Sequence, residues 1–144
     1  MLAGTLQSAN VDFDPGPGTA QQSSAGFQDF YLAKYTSGGQ YLWAFRVGGT
    51  SPDYAYDAAT DAAGNIYVTG FFESGTADFD PGVGTLNLGC IGAGGDIYLA
   101  KYDPAGQFVW AFRIGVASNY DNAKSVVVDV YNISQFLSIN LTCL

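Results

Sequence analysis

The sequence predicts an all-β chain built from repeated, four-stranded antiparallel units, and three observations predict it. The chain repeats itself: Val11–Thr19 returns as Ala77–Thr85, Asp29–Tyr35 as Asp96–Tyr102, and Trp43–Gly48 as Trp110–Gly115, at offsets of 66 and 67 residues. Asp53-Tyr-Ala55 and Asp61 return as Asp121-Asn-Ala123 and Asp129 at offset 68. Single-residue slips that spare the strand-like blocks are how copies of one supersecondary unit diverge. The composition is rich in strand and turn formers, with 10 Tyr, 10 Phe, 2 Trp and 19 Gly in 144 residues. No stretch carries the 3.6-residue apolar period of a helix.

The complete unit reads in order from Tyr54. Strand one is expected from about Ala55 to Asp61, closed by the turn Asp61-Ala-Ala-Gly-Asn65, whose residues tolerate unusual φ. Strand two is Ile66-Tyr-Val-Thr-Gly-Phe-Phe72. A long loop follows, carrying Asp78-Phe-Asp-Pro-Gly82 and the glycine-rich stretch 89–95. Strand three is Asp96 to Tyr102, and Asp103-Pro-Ala-Gly106 then turns the chain, with Pro where its fixed φ suits a type I or II turn. Strand four is Phe108 to Ile114. Ile97 to Ala100 and Phe108 to Phe112 show little in/out alternation, so these strands are expected to be covered on both faces. Four antiparallel strands per unit, doubly covered and repeated, describe a β-propeller blade, with a sandwich or solenoid of similar hairpins as the rival.

The repeat divides the chain into 1–53, a partial blade of loop plus strands three and four; 54–120, a complete blade; and 121–144, the start of a further blade with a divergent tail. The tail Val130–Leu144 departs from the unit, and its two Asn-x-Ser/Thr triplets, at Asn132 and Asn140, read as chance matches. Propellers close at typically 4–8 blades, and two blades alone leave apolar faces and strand edges open. The expectation is therefore a fragment of a longer protein, or self-association that supplies further propeller blades.

The net charge of −8 argues against nucleic acid and anionic membranes as partners. There is no apolar run of 18 residues and no membrane insertion is expected. Met1–Leu6 lacks the basic start and apolar core of a signal peptide. Cys90 and Cys143 are compatible with a disulfide or with two free thiols.

Several blocks in order resemble the SBBP family, the bacterial β-propeller repeat modules of secreted and cell-surface proteins. They are Gly75–Thr85 with Asp-Phe-Asp-Pro-Gly, Gly95–Gly106, Val109–Gly115, Asp121–Asp129 and Asp61–Gly70. The resemblance spans roughly residues 10–130 and implies an extracellular or cell-surface location and repeated display, with no defined active-site residues to carry over. Asp103-Pro-Ala-Gly-Gln-Phe-Val-Trp110 is also similar to the Asp/Gly/Trp turn of quinoprotein-type propellers, with one residue fewer before the Gly. In those folds the Trp docks against the neighbouring blade, which implies a packing role for Trp43 and Trp110.

Two constellations stand out as candidate sites. Asp12 with Asp14, and Asp78 with Asp80, place paired carboxylates before a glycine-rich turn, where calcium could find carboxylate and carbonyl oxygens. The competing and stronger reading is turn chemistry, with each Asp capping backbone N–H groups. Asp29 and Asp96, Lys34 and Lys101, and Arg46 and Arg113 recur at fixed positions and are expected to form structural contacts between blades, with Asp103 pairing a base across its hairpin. Catalysis is not expected. With no His there is no ordinary base for a Ser or Cys nucleophile and no imidazole zinc site. The function expected is a non-catalytic extracellular repeat module for display, adhesion or protein interaction. The alternatives are a carbohydrate-binding propeller using aromatics of Asp53–Tyr56 or the 89–95 loop as sugar platforms, and part of a larger propeller enzyme.

Overall fold

Eleven strands account for nearly all regular structure in the computed structural model, which describes residues 1–91, 94–115 and 125–128. They are β1 (Leu2–Leu6), β2 (Val11–Asp12), β3 (Gln21–Gln22), β4 (Asp29–Tyr35), β5 (Tyr41–Val47), β6 (Asp53–Thr60), β7 (Ile66–Phe72), β8 (Ala77–Asp78), β9 (Asn87–Leu88), β10 (Asp96–Tyr102) and β11 (Phe108–Ile114). The first blade is the sheet β1-β4-β5, the second is β11-β10-β7-β6, and β2-β3 and β8-β9 are two-residue hairpins in the long loops. All pairings are antiparallel. The readings of the Val130–Leu144 tail, the Asn132 and Asn140 triplets and Cys143 lie outside the described residues.

Strands two to four of the second blade lie where the aromatic and β-branched runs place them, and strand one starts two residues earlier than expected, at Asp53. One element departs from the sequence reading. The chain does not begin in a loop, because β1 is strand two of the first blade. Its register against β4, Leu2↔Ala33, Gly4↔Tyr31 and Leu6↔Asp29, matches Val68↔Ala100, Gly70↔Tyr98 and Phe72↔Asp96 in the second. Only Gly4 and Gly70 are identical between those two strands, so side-chain matching misses a pairing that backbone groups make.

The two blades pack face to face, as sheets do when each has an apolar side to bury. Phe30, Leu32 and Val47 of the first blade meet Ile66, Val68, Phe72, Tyr98, Ala100 and Tyr102 of the second, with Phe79 of the β8–β9 loop among them. Phe30 stacks on Tyr98 with ring centres 4.8 Å apart, and Phe79 meets the same ring edge-on at 5.1 Å. All seven residues of β7 are buried, consistent with a strand covered on both faces. On the opposite face of the second blade, Val126 packs against Tyr67 and Leu99, and its N–H donates to Asp57 Oδ2 at 2.9 Å.

A bulge between Ala55 and Asp57 bends β6 where it meets Gly70. A Cβ at Gly70 would stand 1.8 Å from the Tyr54 carbonyl oxygen, so only glycine allows the strands to approach this closely. The Tyr98 hydroxyl donates to that same carbonyl at 3.1 Å.

Candidate functional site

The paired aspartates form two copies of one hairpin. Asp12 Oδ1 accepts from the N–H groups of Asp14 at 3.0 Å and Ala20 at 2.8 Å, and Asp14 Oδ1 from Gly16 at 2.8 Å. Asp78 Oδ1 accepts from Asp80 at 3.0 Å and Leu86 at 2.8 Å, and Asp80 Oδ1 from Gly82 at 2.8 Å. One oxygen of the first Asp thus clips both ends of an eight-residue loop. The other oxygen of Asp14 and of Asp80 rests against Gly18 and Gly84, where an added Cβ would lie 2.1 Å away. The backbone donors hold the Asp12 carboxyl below the usual carboxylate range. This donor set suits turn chemistry: the groups aimed at the carboxylates are N–H dipoles, whereas a calcium cage needs six to eight oxygens. Among the described residues, no three His, Cys, Asp or Glu side chains gather to hold a metal ion.

Asp29 and Asp96 open strand three of each blade and are fully buried. Arg46 Nη1 donates to Asp29 Oδ2 at 3.2 Å, and Arg113 Nη1 to Asp96 Oδ2 at 3.1 Å. The same oxygens accept from the N–H of Ala25 and Ile91. These pairs tie strands three and four of one blade together, rather than joining neighbouring blades as the sequence reading has it. Side chains alternate across adjacent antiparallel strands, so residues 17 apart in one hairpin meet before a neighbouring sheet can intervene. The remaining oxygens, Asp29 Oδ1 and Asp96 Oδ1, are buried without a hydrogen-bond partner among the described residues. Burial raises the Asp29 pKa, against the lowering effects of the Ala25 N–H and Arg46.

A third buried acid escapes the sequence reading. Asp53 Oδ2 accepts from the Gly49 N–H and the Ser74 hydroxyl, both at 2.7 Å, and its Oδ1 from the Ser74 N–H at 3.2 Å. It thereby ties the link between blades to the end of β7. Burial raises its pKa most, and the Ser74 hydroxyl is the strongest opposing influence. The signal was available, since Asp53 recurs as Asp121.

The blade joint gathers the remaining conspicuous residues. The turn after β10 places Gly106, at φ +81°, over the ring of Trp43, where a Cβ would stand 3.1 Å from it. Lys34 Nζ crosses between blades to donate to the Pro104 carbonyl at 2.6 Å. Phe45, stacked on Trp43, lies 4.8 Å from Tyr102. Asp103 pairs with no base among the described residues: its Oδ1 accepts from the N–H groups of Ala105 and Gln107 within its own turn, at 2.8 and 2.9 Å. A short side chain two residues from the free amides reaches them first. Trp110 stacks on Phe112, and Lys101 Nζ lies 4.9 Å from the centre of the Tyr67 ring. Burial pushes the Cys90 thiol up, and its Sγ donates to the Glu73 carbonyl at 3.2 Å. That environment disfavours the nucleophilic thiolate.

No family model matches the chain. The chain is 33% identical, over 110 residues, to an uncharacterized WD repeat-containing protein of Acanthamoeba polyphaga mimivirus. The match covers 68% of this chain and 8% of that protein's length. WD-type repeats build propeller blades of four antiparallel strands, the arrangement found in the second blade. The chain is a partial β-propeller. Its units share the architecture but not the WD signature: there is no His, and both Trp residues are followed by Ala.

Proposed function

We propose that this partial propeller is a non-catalytic interaction module that presents the loops of successive blades to a protein partner. The observation that carries the reading is the engagement of its repeated polar groups within the fold. The paired Asp residues hold hairpin loops, Asp29 and Asp96 hold arginines, and Asp53 holds the link between blades. A scaffold so fixed leaves its loops to vary, and loops on a rigid frame are where binding resides. Val83, fully exposed at the tip of the β8–β9 loop, and its exposed counterpart Pro17 offer apolar contacts at equivalent points of consecutive blades. Display outside the cell belongs to this proposal and rests on the resemblance to SBBP modules.

The test is selection of peptides against the whole chain from a random display library. Peptides whose capture is lost with Val83→Asp or Pro17→Asp, at unchanged melting temperature, support the reading. Equal capture by the parent and both variants overturns it. The carbohydrate alternative has one observation in its favour: Tyr54 and Tyr56 lie nearly parallel, 6.0 Å apart, with Tyr56 45% exposed on β6. Selective glycan-array binding lost with Tyr56→Ala would replace the protein-partner reading.

A further inference from the structure

Strand four forms an edge of each blade's sheet, β5 in β1-β4-β5 and β11 in β11-β10-β7-β6. The two edges share one register, Ala33↔Ala44 and Ala100↔Ala111, with the same irregularity after Lys34 and Lys101. At the middle of β5, side chains hold both polar backbone groups of Ala44. Its N–H donates to the Tyr41 hydroxyl at 2.9 Å, and its carbonyl accepts from Gln22 Nε2 at 3.2 Å. Groups engaged in this way point away from β4, because alternate residues of an antiparallel edge strand direct N–H and C=O outward. The shared register turns the N–H and C=O of Ala111 outward from β10 as well.

The second blade lacks both caps. Gln22, opposite Val11, corresponds to Leu88, opposite Ala77, and leucine carries no amide. Tyr41, opposite Tyr35, corresponds to Phe108, opposite Tyr102. The rings keep one geometry: Tyr41 lies 6.1 Å from Tyr35 at 70°, and Phe108 lies 6.2 Å from Tyr102 at 71°. Only the hydroxyl is missing. Among the described residues β11 pairs with β10 alone, so the middle of its edge offers a donor and an acceptor to the outside.

This edge is a property of the blade rather than of its neighbours. β11 closes a complete four-stranded sheet, and blades stack through their faces. At the joint between the two blades, both caps on Ala44 come from the first blade itself, with the second blade packed beside it. A blade stacked on the far face of the second would leave the edge of β11 in the same position. Uncapped strand edges pair with other strands unless something blocks them, and β5 carries the block that β11 has lost.

We infer that β11 takes an extended peptide segment of a partner protein as a fifth strand. The segment exchanges backbone hydrogen bonds with Ala111 and with Arg113, the next outward residue, which is strand addition to a sheet edge. Val109, exposed beside Ala111, favours apolar residues at alternate positions of the segment. The net charge of −8 favours basic residues between them. The inference rests on the interaction-module reading and names a surface and a form of partner for it.

The test is amide hydrogen exchange of the whole chain, read residue by residue by NMR. The probe is a peptide of alternating Val and Lys, blocked at both ends and as long as the seven residues of β11. At saturation the Ala111 and Arg113 amides are expected to exchange more slowly by about tenfold or more, as newly paired amides do. Phe108→Tyr supplies the missing hydroxyl and weakens binding about 3- to 10-fold, the share of one backbone hydrogen bond. Ala111→Pro removes the outward N–H at a place where an edge strand tolerates proline, and abolishes the slowing at Arg113. Tyr41→Phe with Gln22→Leu uncovers Ala44, whose amide then slows with the peptide too. Circular dichroism checks folding, and these three variants report on separate positions should one of them not fold.

Ala111 and Arg113 amides that do not slow at roughly 1 mM peptide, the weak end of specific binding, overturn the inference. So does equal slowing by the same peptide methylated at every backbone nitrogen, which keeps the charge and loses the donors. Binding untouched by Phe108→Tyr and Ala111→Pro overturns it, as does a dimer of the whole chain that Phe108→Tyr breaks, which would put a second copy on the edge. A chain that ignores this probe but still captures Val83- or Pro17-dependent peptides keeps the interaction-module reading and loses only the β11 edge. Slowing at Ala111 without loop-dependent capture keeps the edge and removes the loops.

Discussion

Tyr98→Phe tests the coupling of strand one to the blade core. The substitution removes one oxygen from a fully buried side chain and keeps its ring, so the contacts with Phe30 and Phe79 at 4.8 and 5.1 Å persist. What is lost is the hydrogen bond to the Tyr54 carbonyl at 3.1 Å, beside the bulge where the β6–β7 ladder is interrupted. A buried carbonyl left without its donor costs about 1–3 kcal/mol. For a domain of this size that lowers the melting temperature by roughly 3–12 °C. The matched control is Tyr31→Phe, the equivalent residue of the first blade, which is partly exposed and should change stability by less than about 0.5 kcal/mol. Thermal and urea unfolding at low protein concentration read both variants. A Tyr98→Phe melting point within about 1 °C of the parent would refute the argument, since the predicted minimum cost exceeds that. An equal loss for Tyr31→Phe would refute it too.

Three further outcomes follow from the geometry. Arg113→Met leaves Asp96 buried with the Ile91 N–H as its remaining donor among the described residues; because Arg113 is about a third exposed, the loss should be about 2–3 kcal/mol rather than the full cost of a deeply buried pair. Urea titration of this variant against Asp96→Asn and the double variant measures it. Asp29 and Asp53 have pKa values raised by burial, so the folded state holds their protons more tightly than the unfolded chain does. Their contribution favours folding at low pH and is lost as pH rises from 3.8 through the raised values. Asp12 and Asp61 act in the opposite sense, losing their contribution as pH falls below 3.8. Asp29→Asn should therefore reduce the fall in stability on the rising-pH side, as read by unfolding at a series of pH values. The turn chemistry of the Asp12 and Asp78 hairpins predicts that a chelator shifts the melting temperature by less than about 1 °C, whereas an ion present at about 100 times its Kd contributes about 2.7 kcal/mol. A shift of several degrees would establish a cation there.

How much of this was legible in the sequence depended on what each element required of its side chains. β7, β10 and β11 are long aromatic and β-branched runs bounded by strong turns, and their limits follow from those residues. β1 needs only backbone pairing and one glycine, so its chemistry gave no repeat to match. β2-β3 and β8-β9 are two residues per strand, too short for any period, and were legible only as turn-prone loops. The carboxylate-to-amide contacts of the Asp hairpins were legible because they are local, spanning two to eight residues. The Asp29–Arg46 contact was legible in its residues but not in its partners, because composition does not say which face of a hairpin a charge occupies. The Tyr98–Tyr54 contact spans 44 residues and hangs on a bulge, which no local pattern announces.

The one-sidedness of the joint has an evolutionary consequence. The first blade sends Lys34 and Trp43 onto the Asp103–Gly106 turn of the second, and the residues of both halves recur at the repeat offset, so gain or loss of one whole period by unequal recombination leaves the surviving junctions with matching partners. A crossover that removed half a period would set such residues against a surface with no matching turn. Array length can thus drift in steps of sixty-odd residues, with the requirements on each copy unchanged.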